Sequence, residues 1–335
     1  MNNNEHNSAP YLKGEHSTKK WAKRIAYVFI MLILAFLPIM SHSIYLLHIF
    51  ILIFLYTIAT VSLRSITLSG QFPLAHAAFM GIGAYLSGMA SKWLGWSPWL
   101  SMPLAAFTTA FIGMLMGFPF ARLRALYYAM GSLFFGIGVL KFIYALGKLT
   151  GGYSGLVGIK PLFVGSKLPY YYFFLVLALL SIAALHRFEF SRIGMNLKAI
   201  AQSHVIAASV GINEGWYRIF TVGVGCFFVG LAGAGYAHYN LVLSSSSFDF
   251  MATLWLVMYV LIGGIGHFLG PIIGTFILIL IPEMFRDLKV YSPFISAAVL
   301  AFVVYLIPEG LVGLPGMILR LIQKKWELKR SANAS

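Results

Sequence analysis

The stretch FFLVLALLSIAALHRFEFSRIGMNLKAIAQSHVIAASVGINEGWYR, Phe173 to Arg218, sets a continuous apolar run against a basic, patterned segment. The run Phe173 to Leu185 has a counterpart far upstream, Ile25 to Met40, and similar windows recur almost end to end. A helix needs about 20 largely apolar residues to cross roughly 30 Å of hydrocarbon at 1.5 Å per residue. Continuous runs, rather than roughly ten-residue alternating strands, exclude a barrel, so helices must satisfy the backbone in lipid. The fold class is therefore all-α, a polytopic membrane protein. Composition agrees: of 335 residues 60% are hydrophobic and 10% charged, against roughly 25% charged in soluble domains.

Working outward, candidate spans fall near 25–41, 44–63, 74–94, 98–119, 126–146, 168–186, 217–239, 251–269, 271–288 and 293–312, about ten transmembrane helices. Ten spans leave both termini on one side. Placing them in the cytoplasm puts 17 of the 24 Lys and Arg residues inside and 7 outside, the bias that orients such proteins. Residues 1–24 read as a polar cytoplasmic tail, 25–314 as the transmembrane domain with a cytoplasmic loop at 187–216, and 315–335 as a basic cytoplasmic tail. The first apolar run is too long, and lacks a small-residue cleavage site, for a removed signal peptide.

Two regions interrupt the span pattern. LSGQFPLAHAAFMGIGA, Leu68 to Ala84, brings Gly70, Pro73, Gly81 and Gly83 into apolar sequence and predicts a broken or re-entrant segment near 68–84. Backbone freed at that depth is tolerated only against protein or a water-filled cavity. GGIGHFLGPIIG, Gly263 to Gly274, predicts a tight turn in which Gly263, Gly264, Gly266, Gly270 and Pro271 serve close packing or a hinge. Close packing is the plainer reading of both.

The charges exclude several functions. A net charge of +15 suggests nucleic acid only until its placement at span ends is seen. Nine acidic residues are present and none sits convincingly at mid-membrane, where ion-coupled carriers keep them. Glu283 reads as a solvated end cluster with Arg286. The energy must come from elsewhere. Nine histidines are scattered without metal-ligand spacing, each read as satisfied or interfacial, with His76 and His267 in the Gly-rich breaks to watch. Cys226 alone excludes a disulfide framework and a thiolate metal cluster, and reads as a small core residue. No nucleophile elbow, P-loop or dinucleotide fingerprint occurs, so no catalytic residue, metal or cofactor is assigned.

The basic loop is long for a connection and therefore structured. Ser191 can cap a first helix with Ile193, Leu197 and Ile200 on one face. Ser203 can cap a second, HVIAASV, with Gly211 as its left-handed stop. Such a short helix of small residues forms a ridge that a partner's groove can hold.

With these segments in hand, the chain resembles the LivM-type permease subunits of branched-chain amino acid (or urea) ABC transporters. The resemblance runs from about Ser69 to Leu314. It rests on GQFPLAHAAFMGIGAY (Gly70 to Tyr85), TGGYSGLVGI (Thr150 to Ile159), Ser191 to Asn213, GLAGAGYAHY (Gly230 to Tyr239) and IGGIGHFLGPIIG (Ile262 to Gly274), with IPEGLVGL (Ile307 to Leu314) a lesser match. Departures are Pro73 and Ala75, where the family usually has Ser and Gly, and Ser203, His204 and Ala208, where it commonly carries acidic residues. The resemblance implies an importer of leucine, isoleucine and valine, with urea or a short amide the alternative and a stand-alone carrier a remoter one.

It also implies partners: a second permease subunit, two cytoplasmic ATPase subunits that use the ATP, a periplasmic solute-binding protein and the lipid bilayer of a bacterial inner membrane, with no nucleic acid. Coupling to the ATPase falls on Ser203, Ala207, Ala208, Gly211 and Asn213. The translocation pathway falls on Gln71, His76 and Tyr85. The outer loop Gly147 to Lys167 is the expected dock for the binding protein, its plain alternative being a flexible turn.

Overall fold

The structure, a computed structural model, describes residues 33–38, 43–123, 125–284, 294 and 310–311. The chain divides into two units, Met1–His48 and Ile49–Ser335. In the first, the described residues are helical at 33–38 and again from Ile44, where the Ser43 hydroxyl accepts a hydrogen bond from the Leu46 amide at 3.4 Å.

The helices are α1 (Ile44–Thr67), α2 (His76–Trp93), α3 (Pro98–Phe120), α4 (Ala125–Ala145), α5 (Leu168–Glu189), the short α6 (Arg192–Gln202) and α7 (His204–Ser209), the long α8 (Glu214–Asn240), α9 (Phe250–Gly263) and α10 (Gly270–Met284). Among the described residues six helical segments are long and apolar enough to cross a membrane, at Ile44–Thr67, Pro98–Phe120, Leu126–Ala145, Leu168–Glu189, Glu214–Asn240 and Ser245–Gly263. The expected windows 25–41 and 293–312 lie mostly outside the described residues, as do the two tails and Arg286. The described residues are mostly helical, as an all-α membrane protein requires, with one small addition: β1 (Leu156–Val157) pairs antiparallel with β2 (Val242–Leu243). The expected window 251–269 needs correcting because it ends early: Gly264 takes φ +108° and stops α9 at Gly263.

Side-chain contacts sort the connections of the second unit into two ends. At the β end, the Trp93 indole donates to the Leu149 carbonyl at 3.0 Å and the Lys160 ammonium to the Gly95 carbonyl at 2.7 Å. There the 94–97, 146–167 and 241–249 segments meet. At the opposite end, Arg64 reaches Glu189 and the Ile265 carbonyl, and Arg218 donates to the carbonyls of Ala121 and Leu123 at 3.2 and 3.4 Å. A cation there satisfies the orphan carbonyls closing α3 and suits its dipole. Alternation of connections between two ends is what helices crossing a slab in turn require.

α8 is the centre of this bundle and packs most extensively against α3 and α2. Its sequence GVGCFFVGLAGAG, Gly223 to Gly235, explains why. A Cβ at Gly233 would collide with the Met80 carbonyl, one at Gly83 with the Gly230 backbone, and one at Gly113 with Cys226. In lipid, helices gain from such backbone approach because no hydrophobic drive separates tail from side chain. Cys226 is buried, as expected of a core residue. The outer face of α4 is different, exposing Tyr127, Phe134 and Phe142.

Candidate functional site

The loop between α5 and α8 folds as its caps predict. The Ser191 hydroxyl accepts from the Gly194 amide at 3.4 Å, opening α6, with Leu197 and Ile200 buried and Ile193 half-buried. The Asn196 amide donates to the Tyr217 hydroxyl at 2.7 Å, fastening α6 to α8. The Ser203 hydroxyl accepts from the Ile206 amide at 3.4 Å and opens α7. α7 closes with a Schellman motif: Ile212 N–H donates to the Ala207 carbonyl at 3.1 Å and Gly211 N–H to the Ala208 carbonyl at 3.0 Å. Gly211 takes φ +82° with nothing around it, so its conformation rather than its size requires glycine.

Ala207 seats α7 on the bundle, whereas Val205, Ile206 and Val210 stand 65–70% exposed around the exposed Ala208. Asn213 lies past the helix and caps α8, its Oδ1 accepting from the Trp216 amide at 3.2 Å.

A buried ion cluster underlies α6, and sequence reasoning missed it. Arg64 Nη2 and Nε donate to Glu189 Oε1 and Oε2 at 2.7 and 3.1 Å, both side chains being buried. Lys198 of α6 adds a contact to Glu189 Oε1 at 3.1 Å, and Arg64 Nη1 donates to the Ile265 carbonyl. The guanidinium thereby joins the ends of α1 and α5 to the turn between α9 and α10, and the Glu189 carboxylate adds helix α6. By sequence Arg64 is one of the Lys and Arg residues counted on the inside, and Glu189 is an acid within the 187–216 loop. The only signal was a lone acid four residues past the run ending at Leu185.

The break after α1 is re-entrant. His76 Nε2 lies 2.9 Å from the Ser62 hydroxyl and 3.0 Å from the Ala59 carbonyl. Those residues are five and eight positions before the end of α1, so the segment 71–75 returns about 8–12 Å into the bundle before α2 starts. Hydroxyls from other helices satisfy its amides: Leu74 N–H donates to Ser132 Oγ at 2.9 Å and Ala77 N–H to Thr253 Oγ1 at 3.2 Å. This is how lipid-depth backbone is tolerated.

Gln71, His76 and Tyr85 are all buried, at 2% exposure or less. Tyr85 donates to the Leu243 carbonyl at 3.3 Å and so is tied to β2. Gln71 Nε2 and His76 Nδ1 are buried without a partner among the described residues.

The turn after α9 packs as its glycines suggest. A Cβ on Gly263 would strike the Gly270 carbonyl, and one on Gly270 the Gly264 carbonyl. Pro271 is buried in the first turn of α10. Gly266 has nothing within 4 Å, so no packing contact requires it. His267 is exposed.

The 147–167 loop is pinned, unlike a flexible turn. Its Lys160 carbonyl lies 2.8 Å from His238 Nδ1, which must carry the proton, while Nε2 meets the hydroxyls of Ser87 and Ser101 at 2.8 and 3.1 Å. The Tyr170 hydroxyl accepts from the amides of Leu162 and Phe163 at 2.9 and 3.2 Å. His238 is thus a satisfied histidine, as read from its scattered placement. Among the described residues no cluster of His, Cys, Asp or Glu could hold a metal ion.

The architecture is that of a multi-pass, helical membrane protein with a structured helical pair at one end. The chain belongs to the family described as the permease component of branched-chain amino acid transport systems, whose model matches residues 45–308. It is similar to the high-affinity branched-chain amino acid transport system permease protein LivM of Salmonella typhimurium (strain LT2), 26% identical over 290 residues, which cover 78% of this chain and 68% of that protein. The protein of the same name from Escherichia coli (strain K12) is 26% identical over 273 residues, covering 73% of this chain and 64% of its own length. The chain thus spans about two thirds of the length of these relatives. No solved structure matches it.

Proposed function

We propose that this chain is the membrane-spanning permease subunit of an ATP-driven importer of branched-chain amino acids, seated in a bacterial inner membrane with both termini in the cytoplasm. The observation that carries the reading is α7. A six-residue helix, capped at both ends and seated by Ala207, presents Val205 and Ile206, with Val210 at its C-cap, outward at the end where the basic loop lies. Exposed apolar side chains on a rigid ridge, in a family of permease components, fit the groove of an ATPase subunit.

Two such ATPases would bind and hydrolyse the ATP, a second permease subunit would complete the pathway, and a periplasmic solute-binding protein would dock on the pinned 147–167 loop. This chain itself uses no cofactor and performs no bond chemistry. The Arg64–Glu189–Lys198 cluster supplies a route for coupling, since a push on α7 and α6 reaches α1, α5 and the α9–α10 turn through one ion group. Two global states, biased by nucleotide at one end and loaded binding protein at the other, are all that import requires.

Gly211→Pro tests the reading. Proline cannot adopt φ +82° and lacks the N–H that closes on Ala208. Purification in mild detergent should recover ATPase subunits with the wild-type chain and few with the variant, whose membrane insertion stays normal and whose uptake is abolished. A purified chain that drives gradient-dependent uptake alone would overturn the permease reading.

A further inference from the structure

Two cavities lie end to end between α4 and α9, at the β end of the bundle. The outer cleft, of about 800 Å³, is lined by Lys141 and Tyr144 of α4, the serines 244–246 and Asp249. Its inner wall, Ile137, Leu140 and Phe250, also bounds a narrow seam that continues to Leu74 and Leu133 beside the re-entrant segment. Asp249 borders both cavities where they meet, and beyond it the seam is apolar except for Thr253. Lys141 makes no hydrogen bond or ion pair among the described residues. Asp249 uses Oδ1 to cap α9, accepting from the Ala252 amide at 2.9 Å, and its other carboxylate oxygen has no partner among the described residues. An unpaired cation near the end of an apolar span is costly unless it faces water or a ligand.

We propose that this cleft is the entry site for the solute, on the importer reading given above. Lys141 receives the α-carboxylate and Asp249 the α-ammonium. The aliphatic side chain faces Ile137, Leu140 and Phe250, which must part for passage. One unpaired cation and one unpaired anion above an apolar throat match a zwitterion with a branched hydrocarbon tail. They do not match urea, which is neutral and has no apolar part. Gly136 packs against Ala75, so the wall that must move, α4, bears directly on the re-entrant segment.

The test uses the full chain co-expressed with its partner subunits. Labelled leucine and labelled urea are offered to the wild type and to Lys141→Gln, Lys141→Arg and Asp249→Asn, the last keeping a good helix cap. Loss of a charge-assisted contact should cut leucine uptake about tenfold or more in Lys141→Gln and in Asp249→Asn, at unchanged membrane abundance, with Lys141→Arg restoring most of it. Wild-type leucine uptake by both charge-removing variants would overturn the entry site while leaving the importer reading intact. A second arm places a thiol at the throat, Ile137→Cys, in a chain whose other cysteine is buried. A membrane-impermeant thiol reagent added outside should label it, and excess leucine should slow the labelling. Absence of labelling in every nucleotide state would overturn the passage whatever the solute. Uptake of urea without leucine would overturn the amino-acid reading and the zwitterion site together.

Discussion

Glu189→Leu is expected to destabilise the protein by about 3–5 kcal/mol, because it strands a buried guanidinium. Arg64 is 3% exposed and directs both Nε and Nη2 at that carboxylate. Lys198 suffers less, since it is 43% exposed and can turn its ammonium to water. The loss should appear as a lowered thermal unfolding midpoint of the purified chain in detergent. The double variant Arg64→Met, Glu189→Leu should recover most of it, because an apolar pair of similar volume removes the desolvation cost with the attraction. Import should not recover with stability, since the double variant no longer joins α6 to the α9–α10 turn. Recovery of both would reduce the cluster to a structural fastening.

Gly233→Val should be comparably damaging through geometry alone. Its Cβ would lie on the Met80 carbonyl, a backbone atom that no rotamer change can move. α2 and α8 must then separate along the line where Gly83 meets Gly230, losing packing on both sides. Overpacking of a core costs about 1–3 kcal/mol and more where backbone must shift. Gly266→Ala is the matched control, since Gly266 has nothing within 4 Å and no positive φ, and its unfolding midpoint should equal that of the wild type. Equal midpoints for the two variants would mean that α8 does not hold the bundle as described.

The features legible in the sequence are those written within a few residues. Ser191, Ser203 and Gly211 act on their own helix ends through contacts to residues at most three away, so cap chemistry sufficed to place α6 and α7. Gly263 and Gly270 were legible for the same reason, as glycine crowding around a turn. Periodicity reports which face of a helix is buried and says nothing about what lies opposite. That is why nothing in the sequence joins Arg64 to Glu189, 125 positions away. It is also why the hydroxyls of Ser132 and Thr253 gave no sign that they serve the amides of Leu74 and Ala77. The β1–β2 pairing escaped notice because a two-residue strand has no period to detect. Gln71, His76 and Tyr85 came from the resemblance, and the structure places all three inside protein.

The most direct test of the central claim is uptake of labelled leucine, with unlabelled isoleucine, valine and urea as competitors, in cells with and without this gene. The account predicts that leucine uptake falls when the gene is removed and is competed by isoleucine and valine but not by urea. Unchanged leucine uptake, with urea uptake lost instead, would contradict it.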